Sequence, residues 1–182
     1  MGNRVPDLLN SFEAISRLLE SNLHLKEIAP VILSELGRSL SCEWGTYWKV
    51  SEQRKQLIPF AKWAIPNFSA PDLDLDTQFR SLSINEGTAG HVWRSRKPVW
   101  TLDLARDMCL PRSLDAYKSG LTGGIWFALK TEDAVFGVIE LLGRHITPLD
   151  DRQIVELEHF GIRLGYLLKN RPAEIPSEEG HY

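Results

Sequence analysis

Apolar residues recur with helical spacing over the first forty positions. Leu8, Phe12, Ile15 and Leu19 follow one another at intervals of 4, 3 and 4, a single stripe that predicts an amphipathic helix from Asp7 onward. Asn22 interrupts it. Ile28, Val31, Ile32, Leu36 and Leu40 then share a face and predict a second helix over about 25–41, with Pro30 in its first turns, where a missing amide costs least. The period next changes to two. Trp44, Thr46 and Trp48 alternate with Gly45, Tyr47 and Lys49, a strand pattern with both faces partly covered. After a polar turn over 51–55, Gln56 to Ala64 predicts a second strand that completes a hairpin. Its pattern puts Leu57, Ala61 and Trp63 on one side and Ile58, Phe60 and Lys62 on the other. The run from Pro66 to Pro71, with Asp72, Asp74 and Asp76 after it, predicts a mobile loop, and 79–84 a short third strand.

Asn85-Glu86-Gly87 opens a short helix from Thr88 to about Arg94, ended by Lys97-Pro98. Residues 99–102 are strand-like, and 103–110 have no clean period. Pro111 suits the first position of a helix reaching Lys118, with Gly120 as a left-handed stop. Two strands follow, over about 124–129 and 134–142, joined at Thr131-Glu132-Asp133. Asp150 and Asp151 signal the start of a long last helix to about Asn170, with Ile154, Leu157, Gly161, Leu164 and Leu168 on one stripe. The proline- and glutamate-rich end predicts a disordered tail. Connections this short exclude a doubly wound parallel sheet, because a parallel crossover needs a dozen or more residues. The expected class is α+β, with helices flanking an antiparallel sheet.

Composition narrows the function. At 182 residues, 43% hydrophobic and 25% charged, the chain is of ordinary globular make-up. Twenty-one Lys and Arg against 24 Asp and Glu give a net charge of −3, which excludes a dedicated phosphate-backbone binder and hence a nucleic-acid partner. No apolar run approaches the roughly 20 residues that span a bilayer, so no membrane association is expected. The first residues lack a signal-peptide core, and position 6 lacks the Ser or Thr of a myristoylation site, which predicts a cytoplasmic protein. Cys42 and Cys109 are too far apart to form a zinc cage without much help from histidines.

Four blocks carry a family resemblance. Glu86-Gly87-Thr88-Ala89-Gly90-His91-Val92-Trp93, followed by Lys97-Pro98-Val99-Trp100-Thr101-Leu102-Asp103, resembles a stretch of the GAF domain family. Leu110-Pro111-Arg112-Ser113 with Gly120-Leu121 resembles its Phe-Pro-Arg helix and Gly-Leu; Phe136-Gly137-Val138-Ile139-Glu140-Leu141 resembles its penultimate strand; and 150–169 resembles its last helix. Thr88-Ala89 replaces the family's usual Leu-Pro, and Leu110 its Phe. The resemblance implies a five- or six-stranded antiparallel sheet, with terminal helices on one face and short helices and loops over a ligand pocket on the other. It further implies a sensory or regulatory role, without catalysis, in proteins such as histidine kinases and cyclases. The organisation expected is an N-terminal helix over 1–24 able to dimerise, a GAF-like domain over 25–170, and a tail over 171–182.

Most chemistries hosted by such domains lack their residues here. The dispersed cyclic-nucleotide signature is missing, and so is a glycine-rich phosphate loop. Asp107-Met108-Cys109-Leu110 resembles the Asp-x-Cys-Phe motif of bilin-binding members, but the main attachment cysteine has no counterpart near His145. Haem would need an axial His or Cys in the pocket, whereas His91 on the short helix and His145 on a turn fit surface or hydrogen-bonded scaffold roles, and Cys42 and Cys109 fall on different elements, unlike a reductase pair. No cofactor, metal or enzymatic activity is expected. The residues assigned to a ligand pocket are Trp63, Phe79, Trp93, Trp100, Cys109, Leu110, Tyr117, Trp126, Arg112 and Glu140. Glu140 stands mid-strand between Ile139 and Leu141, where a buried carboxylate needs a partner, and Arg112 is the candidate; alternatively, Glu140 faces solvent and Arg112 caps a loop. The stripes of the first and last helices suit pairing within or between chains, which predicts a homodimer. The functional expectation is a non-catalytic sensor that binds a small molecule and relays it to a signalling effector. Its rival is a structural dimerisation module whose pocket is filled by its own side chains.

Overall fold

In the computed structural model the described residues are 8–106 and 111–171. The chain runs α1 (Leu8–Glu20), α2 (Leu25–Ser39), β1 (Trp44–Ser51), β2 (Gln56–Ala64), α3 (Pro71–Phe79), α4 (Gly87–Ser95), β3 (Val99–Thr101), α5 (Pro111–Lys118), β4 (Gly123–Lys130), β5 (Val135–Gly143) and α6 (Asp151–Lys169). Every strand pairing is antiparallel, in the order β2-β1-β5-β4-β3. The α+β architecture follows from the strands' alternation. Gly45, Tyr47, Ile125, Phe127, Leu129, Ile139 and Leu141 face the layer of α1, α2 and α6. Trp44, Trp48, Trp126, Ala128, Val138 and Leu142 face that of α3, α4 and α5. The two layers are separate apolar cores on opposite faces of one sheet.

Local signals set the helix ends. Asp150 accepts the Gln153 amide at 2.8 Å, and the Gln153 side chain accepts the Asp150 amide at 3.0 Å, a reciprocal cap for α6. Gly120, at φ +86°, ends α5 in the left-handed region.

One segment departs from the sequence reading. Residues 71–79 form a helix, not a loop, and 79–84 form no strand, only a bridge between Leu57 and Leu82. Pro71 occupies the first turn and Asp72 and Asp74 complement the helix dipole there. Leu73 and Thr77, four apart, form the buried face, and the Thr77 hydroxyl donates to the Leu73 carbonyl at 2.6 Å. The expected C-terminal tail lies outside the described residues from 172 onward.

The terminal-helix core holds two titratable groups. Burial pushes the Tyr47 phenol and the Cys42 thiol well above their ordinary values of 10.0 and 9.0, with the Glu43 charge adding to the thiol's rise. Both groups therefore ionise more readily in the unfolded chain, and the stability their burial contributes is present below pH 9.0 and falls as pH rises through the unfolded values. Urea unfolding at about pH 10.5 should show a lower midpoint than at about pH 8, and a Cys42→Ala/Tyr47→Phe variant should lose most of that difference.

Candidate functional site

The face opposite the terminal helices carries a buried charged cluster. Arg112, in the first turn of α5, is 4% exposed, and Glu140, in the middle of β5, is 5% exposed. Alternation along β5 sends Ile139 and Leu141 to the terminal-helix side and so sends Glu140 to the other. Arg112 Nη2 donates to Glu140 Oε1, and also to Thr46 Oγ1 at 3.3 Å. Arg112 Nη1 donates to Thr77 Oγ1 and lies 3.8 Å from Asp76 Oδ2. The second Glu140 oxygen accepts the Trp126 indole N–H at 2.9 Å, and Thr46 Oγ1 accepts that of Trp44 at 3.0 Å. One guanidinium thus joins α3, α5, β1 and β5, with β4 held through Trp126.

The charges close on themselves. Arg80 forks onto Asp76 with three contacts of 2.5–3.0 Å, and these bonds hold its guanidinium yet more firmly charged. Arg80, Asp76, Arg112 and Glu140 therefore alternate in sign and sum to zero. Among the described residues, two donors of the cluster remain unused: Arg112 Nε and Trp48 Nε1, both buried without a partner there. The guanidinium carbon sits 5.0 Å from the centre of the Trp48 ring, a cation–π stack. Beside the cluster is a cavity lined by Leu82, Thr88, Ala89, Leu104, Trp126 and Leu142, with about 20 Å³ open to the centre of a water molecule. That is room for one water.

Of the residues assigned from sequence, Arg112, Trp126 and Glu140 come together here, and the pairing of Arg112 with Glu140 replaces the solvent-facing alternative. Trp93 packs half-buried against the same core. Four others lie elsewhere. Trp63 packs on α2, its ring against Gly37, because β2 bulges: Tyr47 pairs with Ala61 but Trp48 with Pro59, and the extra residue, Phe60, reverses the side to which later residues point. Leu57 consequently faces the cluster while Trp63, of the same parity, faces the terminal helices. Trp100 pairs with Ile125 and shares its terminal-helix face. Tyr117 is 50% exposed, since Arg112 and Ala116, four apart, take the inward face of α5. Phe79, 76% exposed at the end of α3, lines an open outer groove of about 680 Å³ with Asp72, Leu75 and Asp115. Cys109 and Leu110 lie outside the described residues. Thr46, Thr77, Asp76 and Trp48 were missed; the alternation of Trp44, Thr46 and Trp48 was the available signal for two of them.

The described thiol lies away from this cluster, and Cys109 is outside the described residues. Cys42 is 3% exposed on the opposite face and donates to the Leu40 carbonyl at 3.6 Å. Among the described residues no group of three His, Cys, Asp or Glu side chains could hold a metal ion, and no helix is long and apolar enough to cross a membrane.

An antiparallel five-stranded sheet has terminal helices on one face and short helices over a polar centre on the other, the α+β architecture of GAF domains. The chain belongs to the GAF domain family, whose model matches residues 22–164. Its fold is similar to the GAF domain of an Acinetobacter phosphoenolpyruvate-protein phosphotransferase, at 14% identity over 93% of this chain and 95% of that chain, with a TM-score of 0.66. It is also similar to a free methionine-R-sulfoxide reductase from Neisseria meningitidis solved with its substrate (13% identity, 93% and 94% covered, TM-score 0.65). A third likeness is to a domain assigned to a two-component sensor histidine kinase of Sinorhizobium meliloti (15% identity, 81% and 92% covered, TM-score 0.58). No curated protein matches the chain.

Proposed function

We propose that this GAF domain is a non-catalytic cytoplasmic sensor that takes a small molecule at the Arg112–Glu140 centre. The signal passes through the terminal helices to a signalling effector of the histidine kinase or cyclase type, in a homodimer formed by those helices. The observation that carries the reading is the buried ion pair itself. Burying two charges costs several kcal/mol before their attraction offsets it, and an apolar pair of similar size serves stability as well or better. Retaining the pair on the face away from the terminal helices therefore points to recognition.

The path to the output helix is short. β4 presents Trp126 to the cluster and Phe127 to α6. At its end Lys130 donates to the Arg96 carbonyl, at the C-terminus of α4, at 2.5 Å and to Glu158 of α6 at 2.7 Å. α4 contributes Thr88 and Ala89 to the cavity, so Lys130 ties a helix of the ligand face to the last helix. A ligand acts only through its different affinity for the two arrangements of such an element.

The structural-module reading has one observation in its favour, the cavity's capacity for a single water. Thermal melting of the full chain against a panel of small metabolites separates the two. A ligand at about 100 times its dissociation constant adds about 2.7 kcal/mol of stability, and that gain should shrink in Glu140→Gln. No shift from any compound would favour the structural module.

A further inference from the structure

We propose that the molecule recognised at the Arg112–Glu140 centre is a zwitterion of amino-acid size with an apolar side chain, its carboxylate taken by Arg112 and its ammonium by Glu140. This rests on the reading of that face as the ligand face. The cavity beside the pair has room for one water, so a larger occupant would have to separate the two side chains. Charge then decides what can enter. The side chains of Arg112 and Glu140 are 5% and 7% exposed, and Arg80 with Asp76 already balances the rest of the cluster. An anion that took Arg112 would strand Glu140 as an uncompensated buried charge; a cation that took Glu140 would leave Arg112 with only Asp76, 3.8 Å away and already held by Arg80. Either loss costs more than one new contact returns. A molecule bearing both charges exchanges one ion pair for two and leaves nothing stranded.

The donors and the walls agree with this chemistry. A carboxylate binds a guanidinium best through two adjacent N–H groups. Arg112 Nε is buried and unused, so one edge of the fork already has a spare donor, and Trp48 Nε1 is a second spare donor in the same stack. The remaining walls are chiefly apolar, with Leu82, Ala89, Leu104, Ala116 and Leu142, which suits a branched aliphatic side chain and gives no partner to a further charge.

The test is a titration of the ¹⁵N-labelled full chain, following the Arg112 Nε–H and Trp126 indole N–H resonances. The probes are leucine, its methyl ester (cation only) and 4-methylpentanoate (anion only). Leucine should shift both resonances saturably, and each singly charged analogue should bind at least about tenfold more weakly, a tenfold step being about 1.4 kcal/mol. In Glu140→Gln, which removes the charge that needs an ammonium, 4-methylpentanoate should overtake leucine. Should that variant not fold, the wild-type series decides alone. Equal binding by either singly charged analogue overturns the zwitterion class and leaves the ligand face standing. No shift at either resonance from any of the three also overturns the proposal; the ligand-face reading itself then stands or falls on the metabolite melting screen.

Discussion

Replacing Arg112 with methionine will lower the unfolding free energy by about 3–5 kcal/mol, the usual result of removing one partner of a buried ion pair. At about 2–4 °C per kcal/mol for a domain of this size, the melting temperature should fall by roughly 6–20 °C. The loss does not come from the attraction alone. Without the guanidinium, the Glu140 carboxylate keeps, among the described residues, only the Trp126 indole, and Thr46 and Thr77 each lose a buried donor. Restoring charge balance with Arg112→Met/Glu140→Leu should recover part of the stability, since an apolar pair of similar volume is tolerated in such sites. It should not recover all, because the Trp126 N–H is then left unpaired at about 1–3 kcal/mol. Urea unfolding of the two single variants and the double closes the cycle. A coupling energy within about 0.5 kcal/mol of zero would show that the two residues act independently and would remove the pair as the centre of the site.

The same pair marks how far the sequence could be read. Glu140 was legible because a carboxylate flanked by Ile139 and Leu141 in a strand of known parity must either find a partner or break the pattern. α2, β1 and α6 were legible because each repeats its period over eight or more residues, and β4 and β5 because each is a near-continuous apolar run. Short or interrupted elements were not. α3 buries only Leu73 and Thr77 among the residues of a helix flanked by proline and acid, so its polar face outweighed its apolar one. β3 has three residues, too few to fix a parity, and Trp100 was placed on the wrong face. Trp63 was misplaced for a subtler reason: strand alternation is exact only without a bulge, and Pro59, which cannot donate to the ladder, is the residue next to the one where the register breaks. The polar partners Thr46 and Thr77 sit on different elements, and only the tertiary fold brings them to one guanidinium.

The largest effect on the opposite layer should come from Gly161→Ala/Gly165→Ala, a substitution that shortens nothing and removes no contact. A β-carbon at Gly161 would lie 2.2 Å from the Ala128 carbonyl oxygen, and one at Gly165 would lie 2.1 Å from that of Lys130. Both obstacles are backbone of β4, held by β5 in the sheet, so no side chain can turn aside. Alanine favours the helical state by about 1 kcal/mol at each position, which opposes the expected change. Contacts this short against backbone call for the upper part of the usual overpacking range, about 2–3 kcal/mol per site, which exceeds that gain and leaves a net loss of about 2–4 kcal/mol as α6 lifts from the sheet. The lift would also lengthen the Lys130–Glu158 contact and loosen Leu157, Phe160 and Leu164 from the core. Hydrogen exchange should therefore quicken along β4 and α6 together, while the amides of α3 keep their wild-type rates. Unchanged stability and exchange in the double variant would mean that α6 is not seated on the β4 backbone, and the direct path from Trp126 to the last helix would have to be abandoned.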